Sequence, residues 1–307
     1  MIIDCDPGHD DAVMLVLAHR HADVVGITTV SGNAPIEATT MNALLLAQLL
    51  DWDVPVHAGA ARPILAEPVH APEVHGESGM EGAVLPPLTR LAAEHDAVSF
   101  LVEATRSEEG LWLVATGPLT NVALALRADP HLAERLAGIS LMGGSASVGN
   151  VTAAAEFNVW ADPEAAAITF ASGCPVRMSG LDVTHQVLVD AAFAARVRAV
   201  GTPVAAVVAD LFVHELDRYG TYATATPFPP LHDPVALLVV THPHLFERRA
   251  VPIAVETSGA LTRGMTVVDR RSRTRSGDDP AAGPITTEWV HTADADAVLD
   301  LVVEAVA

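Results

Sequence analysis

An open, mostly parallel α/β sheet with helices on both faces is the fold class this sequence predicts, from three observations. Continuous apolar, β-rich runs recur along the chain, each ends in a polar or glycine-rich turn, and a helical segment follows. With 307 residues, half of them hydrophobic, the chain can bury a sizeable core. It has no internal repeat and no linker marking a boundary, so residues 1–307 read as a single domain.

The first run, Ile2 to Cys5, leads into a helix from about Asp10. The second, Val24 to Val30, is followed by Ser31-Gly32-Asn33 and a helix from about Ile36 to Leu50. Val54 to Val56 comes next, and after a long interruption Leu111 to Ala115 precedes Thr116-Gly117-Pro118 and the helix LTNVALAL. Ile139 to Met142 runs into Gly143-Gly144, and a helix from Pro163 to Ala171 precedes Val176 to Leu181. Parallel sheets carry their sites at the carboxyl ends of the strands. Asp6, Asn33, Thr116 and Gly143-Gly144 fall just past the ends of different strands, so they are expected to converge.

Three segments break this rhythm. Residues 60–88 hold VHGESGMEG and five prolines, and read as a loop over the site. Residues 145–162 bring Asn150, Glu156 and Asn158 together with Phe157 and Trp160; amides beside a carboxylate suit the recognition of hydroxyl groups. The third runs from a helix ending near Arg218 through YGTYATATPFPPLHDP and delivers His232-Asp233 ahead of another helix, with Pro234 at its first position. Beyond Arg248 strands and helix alternate around a polar, exposed loop, RRSRTRSGDDPAAG.

The chemistry concentrates in DCDPGHDDA, residues 4–12, where Asp4, Asp6, Asp10 and Asp11 lie within one strand, loop and helix start. Like charges held this close repel unless protons or a cation compensate. Carboxylate oxygens without a cysteine cluster favour Ca²⁺ or Mg²⁺. One or two such aspartates would read as turn and cap residues, but four around Pro7-Gly8 read as a site.

A net charge of −21, with no lysine, argues against nucleic acid and against an anionic membrane. No run approaches the roughly 18 apolar residues of a spanning helix, and no basic n-region precedes the first strand, so a cytoplasmic protein is expected. Cys5 and Cys174 are expected to be small buried apolar residues.

DCDPGHDDA, VSGN, HGESG, ATGPLTN, LMGG, AEFNVWADPEA and LHDP, in this order and spacing, closely resemble the inosine-uridine preferring nucleoside hydrolases. The resemblance runs from Ile2 to about Ala236 and continues more weakly to the end. It implies a Rossmann-like nucleoside hydrolase fold, a homotetramer or homodimer, and hydrolysis of a ribonucleoside to free base and ribose. It further implies that Asp6, Asp11, the main-chain carbonyl of Thr116 and Asp233 bind a catalytic Ca²⁺. Asp10, Asn33, Asn150, Glu156, Asn158 and Asp233 would hold the ribose, with Met142 and Phe157 in the pocket. Asp6 would be the general base, Asp4 would orient the metal ligands, and His75 and His232 would lie near the base, His232 helping it leave. Ca²⁺ and Asp6 together would supply an activated water, and carboxylates would stabilise an oxocarbenium-like ribosyl transition state. Attack opposite the base predicts inversion at C1′.

A titration near neutrality would suit His75 to proton donation, whereas His9 either faces the base or packs behind it. Glu77 and Glu81 read as solvated charges. Pyrimidine-preferring relatives would carry a Gln and a Tyr one helical turn apart before the HDP block; Arg218 and Tyr222 have that spacing but the wrong first residue, and with Tyr219 and Phe228 they are expected either to form part of the base pocket or to pack. His9 and His75 favour uridine and cytidine over inosine as substrates. Two readings from other classes compete with this one. A phosphotransferase of the haloacid dehalogenase type requires a Thr or Val where Gly8 stands, and a lysine. A non-catalytic nucleoside-binding protein would need no base at Asp6.

Overall fold

A computed structural model describes residues 1–221, 225–271 and 285–307. Tyr222, and residues 272–283 of the expected polar loop, lie outside the described residues. The strands, in chain order, are β1 (Ile2–Cys5), β2 (Gly26–Thr29), β3 (Val56–Ala58), β4 (Trp112–Ala115), β5 (Gly138–Met142), β6 (Val176–Ser179), β7 (Phe246–Ala250), β8 (Ile253–Val255), β9 (Thr266–Val268) and β10 (Thr287–Ala293). Eight of them form one sheet in the order β3-β2-β1-β4-β5-β6-β10-β7. All neighbours are parallel except the edge pair β10 and β7, and β8 and β9 form a separate antiparallel hairpin. The expected mostly parallel sheet is the one observed.

Strands β1, β2 and β5 are buried along their whole length, which is why they read as unbroken apolar runs. One core lies on each face. The first gathers the helix His9–His21 with Ile36–Leu49, Pro203–Arg218 and Asp233–Thr241; the second gathers Ala97–Ser107, Thr120–Ala128 and Pro163–Phe170. His9–His21 is buried from His9 to Ala18, so it carries no polar stripe. Ala97–Ser107 buries only Ala97, Leu101 and Thr105, spaced by four, and is capped by Asp96, which accepts from the N–H groups of Val98 and Ser99. Cys5 and Cys174 are free and buried, as expected. Among the described residues no helix is long and apolar enough to cross a membrane.

The sheet order reverses at β1. Its partner on one side is β2, and on the other β4, which follows much later in the chain. Residues leaving β1 and β4 therefore open a crevice between diverging connections, where open α/β sheets bind their ligands.

Candidate active site

Asp6 to Gly8 leave the carboxyl end of β1, and the helix His9–His21 begins at once, placing Asp10 and Asp11 in its first turn. Asp11 accepts from the Gly8 N–H at 3.0 Å and from the Thr116 hydroxyl at 2.8 Å, joining the ends of β1 and β4. The Asn33 N–H donates to Asp6 Oδ2 at 2.7 Å and its Nδ2 to the Asp6 carbonyl at 3.1 Å. Main chain presses on Asp6 from two sides. A Cβ at Gly32 would lie 2.0 Å from its Oδ2, and one at Gly117 2.6 Å from its Oδ1, so neither position accepts a side chain without moving the carboxylate. Asn42 Nδ2 donates to the carbonyls of Pro7 and Ser78, clamping this loop to segment 60–88.

Asp233 arrives from elsewhere. The Leu231 N–H donates to Val187 O at 2.8 Å, which fixes the chain before the helix Asp233–Thr241. One carboxylate oxygen from each of Asp10, Asp11 and Asp233 lies within 4.8 Å of the others, and all three residues are buried. Asp6 stands outside this trio; its Oδ1 is buried and has no hydrogen-bond partner, as is Asp4 Oδ2. Burial first, then Asp11, pushes Asp6 well above the ordinary carboxylate range; burial, then Asp10 and Asp11, does the same to Asp233. Burial and then Asp10 raise Asp11 to about 7. An all-oxygen donor set, with mutual repulsion and an unsatisfied buried oxygen beside it, fits a hard divalent cation. Thr116 contributes its hydroxyl to Asp11, while its carbonyl accepts from Asn158 Nδ2 at 2.7 Å.

A cavity of about 640 Å³ opens on this cluster, and its lining brings together Asp10, Asn33, Thr116, Met142, Asn150, Glu156, Phe157, Asn158, Asp233, His75 and His232. Glu156 caps the helix Phe157–Ala161, accepting from the N–H groups of Asn158 and Val159, and takes a third N–H from Gly144 at 2.8 Å. Three main-chain donors oppose its desolvation, but burial still prevails and lifts it to about 7. Asn158 is buried in the cavity lining, whereas Asn150 is exposed at the rim and accepts from the Phe157 N–H. Asp4 does not line the cavity. It accepts from Thr28 and from Asn121 Nδ2 at 2.8 Å, beneath the loop, and burial raises it to about 6.

His75 sits in the short helix Pro72–His75. The expectation that it titrates near neutrality fails, because burial, then His9 and His232, hold it well below the usual histidine range. His232 Nδ1 pairs with the Thr184 hydroxyl at 2.8 Å, and desolvation lowers the ring to about 4. His9 does not face the cavity.

The remaining pocket residues match those picked out in the sequence only in part, at Tyr219. Arg218 is not among the lining residues and donates to the Glu73 carbonyl at 3.0 Å, tying the helix Pro203–Arg218 to the turn that carries His75. Phe228 is exposed and outside the lining. Glu215 and Tyr219, one helical turn apart, line the cavity, as does His185, whose ring lies beside that of His232. Burial, then Asp10, pushes Glu215 well above its ordinary range, and burial and then His232 lower His185 to about 4. The Gln and Tyr spacing expected from the resemblance could have found Glu215 and Tyr219, since they share it.

Comparison with known proteins agrees with this geometry. The family model described as "Inosine-uridine preferring nucleoside hydrolase" matches residues 1–300. The chain is 44% identical over 283 residues, 89% of each chain, to "Pyrimidine-specific ribonucleoside hydrolase RihA" of Enterobacter sp. (strain 638). A solved purine-preferring ribonucleoside hydrolase from Gardnerella vaginalis is 32% identical with a TM-score of 0.91, covering 99% of this chain and 97% of its own. A plant nucleoside hydrolase, PpNRh1, superposes with a TM-score of 0.92 at 28% identity, over 99% and 98% of the two chains.

Proposed function

The chain belongs to the inosine-uridine preferring nucleoside hydrolase family and is a nucleoside N-ribohydrolase; from that premise we propose that it is a Ca²⁺-dependent enzyme acting on pyrimidine ribosides such as uridine and cytidine. The observation that carries the reading is the convergence of Asp10, Asp11 and Asp233 at the point where the sheet order reverses, at the floor of the cavity. Asp11, Asp233, Asp6 and the Thr116 carbonyl are our candidate ligands, with Asp10 close enough to share the site. When bound, the cation would anchor a water and the ribose diol and make that water more acidic.

The rest falls to side chains. Asp6 Oδ1, which has no protein partner, is positioned to receive the proton of the attacking water. Asp10, Asn33, Asn150, Glu156 and Asn158 bind ribose hydroxyls, and Met142 and Phe157 supply apolar surface beside the sugar. The carboxylates stabilise positive charge spreading over the ribosyl ring as the base departs. His232 is neutral at rest; negative charge growing on the base raises its proton affinity, so a proton can pass through it to the base.

Two observations support the pyrimidine preference. A 44% identical relative is named pyrimidine-specific. Glu215 and Tyr219 also occupy the cavity with the spacing of the pair expected in pyrimidine-preferring relatives. A carboxyl that keeps its proton offers one donor and one acceptor side by side, as an amide does, and so can take the place of the expected Gln.

Release of reducing sugar from uridine, cytidine, inosine, adenosine and their 2′-deoxy forms, with Ca²⁺ and with a strong chelator, tests the proposal. Hydrolysis of pyrimidine ribosides but hardly of deoxyribosides, abolished by chelation and restored by Ca²⁺, is expected. Faster inosine cleavage would overturn the base preference, and activity indifferent to chelation would overturn the metal assignment.

A further inference from the structure

His9 stands behind the cavity wall. Its ring is 1% exposed, lies outside the lining and stacks on His75 with centroids 5.2 Å apart. Its Nε2 is 2.9 Å from the main-chain oxygen of Glu81, and its Nδ1 is 3.2 Å from Nδ1 of His75. Hydrogen-bond polarity then fixes both rings. A carbonyl oxygen only accepts, so His9 Nε2 carries the hydrogen and, in the neutral imidazole, Nδ1 is a lone pair. The contact between the two Nδ1 atoms therefore needs His75 to donate. Its other nitrogen, Nε2, is left as a lone pair with no protein partner among the described residues, in a side chain that lines the cavity. The His9 main-chain N–H also points at His75 Nδ1, but at 3.5 Å it is the weaker claim. Two Nδ1 atoms 3.2 Å apart cannot both carry a hydrogen, so the two rings are not both charged.

We propose that His9 is a positioning residue: by donating to Glu81 O and accepting from His75 Nδ1, it holds His75 in the tautomer whose Nε2 accepts an N–H from the nucleobase. This rests on the reading above in which His75 faces the base. It changes the part expected of His75, which becomes an acceptor selecting bases that present an N–H rather than a proton donor. It also makes the docking of segment 60–88, through Glu81, a condition for that selection.

The test compares uridine with p-nitrophenyl riboside, whose leaving group presents no N–H, in the full-length protein with Ca²⁺. His9→Phe keeps an aromatic ring but no nitrogen; His9→Asn restores an acceptor, Oδ1, near the Nδ1 position. His9→Phe is expected to lower kcat/KM for uridine roughly 10-fold, the worth of one hydrogen bond, mainly through KM. Hydrolysis of p-nitrophenyl riboside should stay within about 2-fold, since no base contact is lost, and His9→Asn should recover most of the uridine loss. Equal losses on both substrates, or no loss on either, would overturn the inference. If His75→Ala leaves uridine turnover unchanged while p-nitrophenyl riboside is cleaved, the placement of the base against His75 fails, and the His9 inference with it. If the wild type cleaves neither substrate, the failure lies in the hydrolase reading.

Discussion

Removing the cation should give the folded protein an alkaline weakness that Ca²⁺ cures. Carboxyls in an unfolded chain titrate near 4. In the folded, metal-free cluster Asp11 and Glu156 titrate at about 7, and burial with neighbouring carboxylates raises Asp6 and Asp233 well above the ordinary carboxylate range. Groups raised on folding contribute stability below their unfolded pKa and lose it as pH rises through the folded one. From pH 6.5 to 8 the folded state thus holds roughly two protons that the unfolded chain has released, each worth ~1.4 kcal/mol per pH unit. Stability should fall by ~2–4 kcal/mol over this window, and Tm by roughly 4–8 °C at ~2 °C per kcal/mol. Histidines lowered on folding, His185 and His232 to about 4 and His75 and His9 by burial, act with the opposite sign: at each the unfolded chain holds about half a proton more at pH 6.5 and almost none by pH 8, so the fall is steepest in the upper half of the window. The N-terminal amine, lowered by burial, opposes the trend by less than one proton. Scanning calorimetry at pH 6.5, 7.25 and 8, in chelator and in millimolar CaCl₂, measures the effect. In Ca²⁺ the slope should flatten, because the cation replaces protons in the folded state alone. A Tm in chelator that stays level or rises with pH, or an identical slope in Ca²⁺, would refute the reasoning.

Three further outcomes follow from single side chains. Asp6→Asn should lower kcat by ~10²–10⁴ while KM for uridine changes only a few-fold; steady-state kinetics that leave kcat intact would remove Asp6 as the base. Glu215→Gln, which keeps a donor and an acceptor, should retain kcat/KM for uridine within about 3-fold, whereas Glu215→Leu should lose roughly 10-fold. If the two behave alike, or if Tyr219→Ala leaves the ratio of uridine to inosine turnover untouched, this wall is not the base contact. Asn121→Leu strips one donor from Asp4 and from the Thr29 carbonyl; it should cost ~1–3 kcal/mol in urea unfolding, and full stability would show that Asp4 does not depend on it.

The sequence by itself determined the fold class and the inventory of the site. Strands buried on both faces must be apolar throughout, so β1, β2 and β5 announced themselves, and the aspartates of residues 4–11 fell at a strand end because the apolar run stops at Cys5. The blocks around Asn33, Thr116, Glu156 and His232 were legible one by one. Tertiary structure alone decided which of them meet. Strand order is not written in chain order: β4 pairs with β1 across more than a hundred residues, and that reversal makes the crevice. Side-chain direction is equally hidden. Arg218 lies three residues beyond Glu215, within about 60° of it around the helix, yet Glu215 lines the cavity while Arg218 is held by the carbonyls of Pro72 and Glu73, partners that spacing alone does not reveal. His9 shows the same limit. Its place in the aspartate motif fixed its neighbours along the chain, while its hydrogen bonds run to His75 and Glu81, residues that only folding brings beside it.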